Sequence, residues 1–445
     1  MKRYHLGWML VCALHDLQVE RIATTHSSNP TTQLPKRTGP IRIIDAAIES
    51  SARNDAAPDS LRRQDDECGR ANLSYVLVRF ERVGPAFMKL GFSLYRHLLT
   101  AENYRFARQC GATHLVAHLV DYFRGDPDNP AGDQPTGGDR GWGVAGDPDR
   151  LWTVEEVTAV RDGARAEGLQ LEAVENLDPA HWHDVLLDGP RRDEHIENVK
   201  TTLRRLGEAE VPILGYNFSI AGVCGRVTGP FARGGATSIG MDGPYDLAMP
   251  KGMAWNMIID SHAMDAVAPS ATHEQLWDRL ERFLNAVLPV AEQAGVRLAL
   301  HPDDPPMEFM RGQPRLVYRP ELYQRVIDLA ASASNQLEFC VGTVAEMPGA
   351  DVYEATRVYA SQRRIAYVHL RNVRGVTPHY RESFIDDGDV DVPRILRILR
   401  ECDFQGVIVP DHAPQMSCAA PWHSGMAYAM GYLRATIDAA VEASP

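Results

Sequence analysis

The sequence predicts an α/β chain folded as a (β/α)8 TIM barrel behind a disordered N-terminal extension. Three observations carry that reading. Eight apolar runs of strand length recur from residue 88 onward. Helical patterns separate most of them, and the alternation spans roughly 350 residues, the size such a barrel requires. A doubly wound open sheet is the alternative, but no glycine fingerprint follows the first strand.

Residues 1–87 contain "TTHSSNPTTQLPKRTGP" and "SSARNDAAPDSLRRQDDE", polar and punctuated by proline without sustained periodicity. They read as a poorly ordered extension, and a chain starting near Leu73 is expected to keep its fold. The opening "MKRYHLGWMLVCAL" is too short to span a bilayer, and no small-x-small cleavage site follows at once. The barrel, residues 88–445, opens on "MKLGFSLY" and continues with the run 113–120. A helical pattern, "TVEEVTAVRDGARAEG", leads to the run 169–175, and its closing glycine suits a helix C-terminus. Glu155 and Glu156 are assigned there only to capping and the helix dipole. "DEHIENVKTTLRRLGEAE" precedes the run 211–218, and "THEQLWDRLERFLNAVLPVAEQAG" precedes 297–301. The last three runs are 337–341, 365–370 and 406–410. The outlier is 219–271, a glycine-rich stretch too long for an ordinary loop; it reads as a lid or a subunit contact in a homo-oligomer, with flexible filler as the alternative.

Bulk properties narrow the function. An apolar fraction of 44% and a charged fraction of 24% are those of a soluble globular protein. The formal charge of −13 argues against nucleic acid or an anionic membrane as the main partner. An anionic small molecule would need a local cation, from arginine or metal. The seven cysteines are scattered, with no CxxC pair, which suits a reducing cytoplasm.

In a barrel of this kind the chemistry sits where the strands end. The last four tips carry His301 in "LALHPDD", Cys340 in "LEFCVGT", His369 in "AYVHLRNV" and Asp411 in "VIVPDHA". Two imidazoles, a thiol and a carboxylate suit Fe²⁺, Mn²⁺ or Zn²⁺ and poorly suit Ca²⁺ or Mg²⁺. A Cys–His nucleophile is the competing reading, but no helix N-terminus is expected beside Cys340 to activate it. Cys110 and Cys402 read as inert packing thiols. Glu175, Tyr216, Asn217, Arg371, Asn372 and His412 also lie at tips. Arg226, Arg233 and Arg371 are candidate carboxylate clamps, since a guanidinium offers a bidentate fork.

The strings "HPDDPP", "HLRNV", "DGDVD" and "PDH", in this order and spacing, resemble those of the iron- or manganese-dependent mannonate dehydratases. "LWTVEEV", "RRDEHIENVKTTLRRLGEAEVPILGYNF" and the glutamate of "VEN" look like the same family. The resemblance runs from about residue 88 to the C-terminus. It implies a xylose-isomerase-like barrel that removes water from D-mannonate to give 2-dehydro-3-deoxy-D-gluconate. It places metal ligands on His301, Cys340, His369 and Asp411, a histidine at His412 and an arginine at Arg226. On that basis His412 is expected to move a proton, and Arg226 and Arg371 to hold the substrate carboxylate.

This chain departs from the family at several points. The usual histidine pair after the second strand is replaced by Val120 and Asp121. An arginine gives way to Val409, and Trp422 and His423 stand at the place of a proline-glycine-tyrosine. His423 is therefore a candidate second proton-transfer group. A sugar or sugar-acid isomerase or epimerase on the same frame is the second reading.

Overall fold

A computed structural model describes residues 88–125, 134–135 and 141–442. The N-terminal extension expected over 1–87 lies outside the described residues. Eight parallel strands close on one another: β1 (Lys89–Leu94), β2 (His114–His118), β3 (Gln170–Glu175), β4 (Ile213–Tyr216), β5 (Arg297–Leu300), β6 (Asn335–Cys340), β7 (Ile365–His369) and β8 (Val407–Val409). β1 pairs with β2 through Gly91↔His114 and with β8 through Lys89↔Val407, which shuts the ring. Each strand falls within or against one of the eight apolar runs.

Strand side chains alternate faces with period two. One set, Val116, Ala173, Ile213, Ala299, Tyr367, Val407 and Val409, turns into the barrel and forms its small apolar interior cluster. The opposite set packs outward against the helices in the main core, with Leu115, Val174, Leu214, Leu298, Phe339, Val368 and Ile408 among its members. The inward parity carries forward to the tips. Two residues beyond Val116, Ala173, Ala299, Tyr367 and Val409 stand His118, Glu175, His301, His369 and Asp411.

The helices begin and end on the residues that suit them. Val154–Ala166 starts on a capping box in which Thr153 and Glu156 satisfy each other's backbone N–H. His273–Ala294 starts the same way through Thr272 and Gln275, and stops at Gly295 in the left-handed region.

The stretch 219–271 is neither filler nor a lid lacking structure. Its strands Val227–Ala232 and Ala236–Asp242 form a hairpin. A second hairpin, Asn372–Val376 with His379–Ser383, leaves the tip of β7 and pairs with the first through Tyr380↔Met241. The resulting four-stranded antiparallel sheet stands beyond the C-terminal ends of β4 and β7.

Gly215 shows how tightly the interior is filled. A Cβ there would overlap Tyr367 Oη and Glu338 Oε2. Gly215→Ala is expected to destabilise the protein by about 1–3 kcal/mol, the usual effect of overpacking a dense core. A thermal midpoint equal to the parent's would contradict this packing.

Candidate active site

A cavity of about 290 Å³ opens at the C-terminal end of the barrel. It is lined by His301, His369, Asp411 and His412 on one side, and by Ser93, His118, Tyr122, Trp142 and Trp255 on another. Asp304, Arg226, Arg371 and Glu382 also face it.

His301, Cys340 and His369 each offer a ligand atom, and these atoms lie within 4.8 Å of one another. Asp411 adjoins two of the three: Oδ2 is 3.6 Å from Cys340 Sγ and Oδ1 is 3.7 Å from His369 Nδ1. His301 donates Nδ1–H to the carbonyl of Pro302 at 2.6 Å, which turns Nε2 toward the cluster. Burial alone would push the His301 imidazole down, but the neighbouring Cys340 and Glu338 raise it to about 9. Burial would push Cys340 up, but the Arg371 guanidinium and the two histidines bring it down to about 6. Both nitrogens of His369 are buried without an aligned hydrogen bond. Orphaned imidazole nitrogens, a thiolate and a carboxylate are a donor set that fits a divalent transition metal.

The surroundings of Cys340 differ from expectation. Directly after β6 the chain enters the short helix Val341–Ala345, and Cys340 is its N-cap. Sγ accepts from Thr343 N at 3.4 Å and from Thr343 Oγ1 at 3.1 Å. The fourth residue of "CVGT" thus supports the sulfur directly. Cys110 and Cys402 each cap a helix C-terminus, and burial raises both thiols.

Below the cluster lie two carboxylates. His369 Nε2 is 3.2 Å from Glu175 Oε2 and 3.2 Å from Glu338 Oε1. Burial would raise both acids, but His118 and His369 hold Glu175 down at about 2. Burial and the Glu175 charge push Glu338 up to about 8. Glu338 was absent from the sequence reading; its signal was parity, since it stands two residues before Cys340 on the inward face.

His412 sits between two carboxylates. Nδ1 is 2.9 Å from Glu382 Oε1, and Nε2 is 3.2 Å from Asp411 Oδ1. Glu382 comes from the antiparallel sheet, and nothing local in the sequence marked it. Arg226 is buried, 3.9 Å from Glu382, and its Nη1 has no hydrogen-bond partner. That group meets the requirement for a carboxylate clamp.

Arg371 is engaged more heavily. Its Nη2 binds Asp304 at 2.8 Å, Glu346 at 3.0 Å and Thr343 at 3.2 Å. Its Nη1 binds Asp411 and lies 3.4 Å from Cys340 Sγ. Both Nη atoms are engaged by internal partners and tie the "HPDDPP" loop to the cluster, while Nε is buried without a hydrogen-bond partner, 3.6 Å from Glu382. The other aspartate of that loop, Asp303, pairs with the buried Arg315 at 2.7 Å and accepts from the backbone of Leu316 and Val317. The abrupt break after His301 is therefore a loop anchored at two points by arginine.

Two further expectations fail on geometry. His423 binds Asn103 at 3.0 Å and packs on Phe106, turned away from the cavity, whereas Trp422 lines it. Arg233 is half exposed, paired with Asp386 at 3.0 Å and stacked on Phe384. Of the neighbouring tip residues, Asn217 faces the cavity. Tyr216 packs on Phe283 behind the barrel, and Asn372 holds the carbonyls of Ile385 and Val390. Val120 is core, Val409 fills the barrel interior and Asp121 caps the backbone of Phe123.

Comparison with known proteins gives concordant matches. A family model described as D-mannonate dehydratase (UxuA) matches residues 133–228 and 258–442. The mannonate dehydratase of Streptococcus pneumoniae (strain 70585) is 32% identical over 280 residues, covering 59% of this chain and 75% of that protein. The protein of the same name from Streptococcus equi subsp. zooepidemicus is 31% identical over 279 residues, with the same shares. The crystal structure of mannonate dehydratase from Streptococcus suis serotype 2 superimposes with a TM-score of 0.63 at 26% identity, over 80% of this chain and 95% of that one. The interval skipped by the family model falls largely on the hairpin Val227–Asp242 and the residues after it.

Proposed function

Since the chain belongs to the D-mannonate dehydratase family and is accordingly a hydro-lyase, we propose that it removes water from D-mannonate to give 2-dehydro-3-deoxy-D-gluconate. The observation that carries this reading is the convergence of His301, Cys340, His369 and Asp411 beside His412 in one cavity. These four side chains would hold Fe²⁺ or Mn²⁺. Such an ion, when bound, polarises substrate oxygens and stabilises the negative charge that develops on proton loss.

The remaining work falls to the chain. Loss of a proton next to a carboxylate is difficult because that proton is weakly acidic. Arg226, buried and with Nη1 unpartnered, is the group we assign to the substrate carboxylate. His412 is the group we assign to proton abstraction: Glu382 takes Nδ1, and Nε2 faces the ligand cluster, 3.2 Å from Asp411 Oδ1. Arg371 positions Asp411 and Cys340. No described helix is long and apolar enough to cross a membrane. The described cysteines are free, which supports a reducing cytoplasm.

The test is product formation from D-mannonate by the metal-loaded protein, with His412→Asn alongside. That substitution is expected to lower turnover by about 10²–10⁴-fold, the range for loss of a general base, with metal content retained. Turnover within threefold of the parent would remove His412 from the mechanism. A fully metallated parent that ignores D-mannonate while isomerising or epimerising a related sugar would overturn the dehydratase reading.

Metal binding should also release a proton. Without metal His301 is raised to about 9 and is an imidazolium at pH 7.5, whereas a ligand must be neutral. Cys340, at about 6, has already lost its proton at that pH. Despite its burial, His369 is likewise raised well above the ordinary imidazole range by Glu175, Glu338 and Asp411, so calorimetry in two buffers of different ionisation enthalpy should register at least one proton released per metal bound. Binding with no proton released would take His301 out of the ligand set.

A further inference from the structure

We propose that Ser93 and His118 form a second proton-transfer station in the cavity, one that delivers a proton to the departing hydroxyl while His412 takes the proton from carbon. This rests on the dehydratase reading. Loss of water requires two proton movements, one off carbon and one onto oxygen, and His412 accounts for one of them. The tyrosine and the histidine pair expected from the family resemblance are absent, and His423 points elsewhere.

Ser93 lies on β1 and His118 ends β2. In the closed order of eight strands these two stand opposite β5 and β6, which carry His301 and Cys340 to their tips. Both residues line the cavity, so a substrate held at the cluster is flanked by them on the facing wall. His118 is buried, and each of its nitrogens has a hydroxyl partner. Nε2 is 3.0 Å from Ser93 Oγ, and Nδ1 is 3.0 Å from Tyr122 Oη. Tyr122 Oη in turn accepts from Asn176 Nδ2 at 3.1 Å. Glu175 Oε2 lies 3.7 Å from the same Nε2, so a carboxylate stands beside the ring.

In its protonated form His118 donates through both nitrogens, to Ser93 and to Tyr122. The Ser93 hydroxyl is then free to direct its own proton into the cavity. Proton transfer from Ser93 Oγ to the leaving oxygen accompanies rupture of the carbon–oxygen bond, whose electron pair departs with water. The Nε2 proton of His118 moves to Ser93 Oγ and restores the hydroxyl. His118 ends neutral and His412 ends protonated, so charge is conserved; exchange of one proton with solvent at each histidine resets the site. Burial pushes His118 down, which makes its protonated form a stronger acid.

The experiment uses the metal-loaded full chain in D₂O, following by NMR both product formation and exchange of the C2 proton of unreacted D-mannonate. His118→Gln is expected to lower product formation by about 100-fold or more, with metal content unchanged and C2 exchange still proceeding through His412. Ser93→Ala removes only the terminal hydroxyl and should show the same partition, exchange without elimination, even if the Gln variant folds poorly. Product formation at the parent rate in both variants would overturn the station. So would parallel loss of exchange and elimination in Ser93→Ala with metal retained. Failure of the parent itself on D-mannonate would instead overturn the dehydratase reading, and this assignment with it.

Discussion

Alanine in place of His369 is expected to strip the protein of Fe²⁺ or Mn²⁺ and to abolish measurable dehydration. His369 stands at the centre of the cluster: its Nε2 faces Glu175 and Glu338, and its Nδ1 faces Asp411. Removing a residue that merely orients a ligand typically lowers metal affinity by about 10–100-fold. Losing a ligand should exceed that. The same result is expected for alanine at His301, Cys340 or Asp411, read as metal content by mass spectrometry after gel filtration. A Cys340→Ala protein that keeps a stoichiometric complement of metal would show that the sulfur is not a ligand. Air oxidation should inactivate the iron form through the same thiolate.

Arg371→Met should unfold the protein more readily than any other single change at the site. The side chain is 1% exposed and contacts Asp304, Glu346 and Asp411. Breaking a buried ion pair from one side typically costs about 3–5 kcal/mol, because the partner charge stays buried and uncompensated. Burial raises Glu346 well above the usual carboxylate range. The carboxylates that Arg371 holds down are Asp304, at about 2, and Asp411, well below its ordinary value. In the parent their contribution is full above the unfolded carboxylate range and is lost as pH falls toward 2. Without the guanidinium both folded-state values rise, so protonation relieves the variant at higher pH than the parent. The stability deficit should thus shrink between pH 7 and pH 4 in denaturant titrations. A deficit constant across that range would mean that lost packing, not stranded charge, is responsible.

The barrel was legible because its signal is local. Each apolar run is bounded by a helical pattern or a loop, and parity along the run states which side chains turn inward. His301, Cys340, His369 and Asp411 could be read off as tip residues for that reason. What escaped was set by partners distant in the chain. Whether Arg371 has a free guanidinium depends on Asp304 and Glu346, neither of which adjoins it in sequence. Glu382 reaches His412 only because residues 236–242 pair with 379–383 across a separation of about 140 residues. His118 and Ser93 meet through the β1–β2 pairing, 25 residues apart, and each taken alone is an ordinary strand residue. The turn from Cys340 into Val341–Ala345 is a shorter-range miss, since five residues without charge carry little helical signal.

The sheet above the barrel divides the labour of the molecule. The candidate ligands stand on strands whose geometry is fixed by closure of the ring. The aim of His412 is set by Glu382, on an excursion from β7 that is braced by a second excursion from β4. Two excursions therefore join in the sheet that orients His412, while the candidate ligands stand on the strands of the ring itself. Changing either hairpin would alter the support of His412 through Glu382 rather than the strand tips that carry the candidate ligands. The hairpin after β4, where the family model loses its match, is accordingly where this chain was at liberty to diverge.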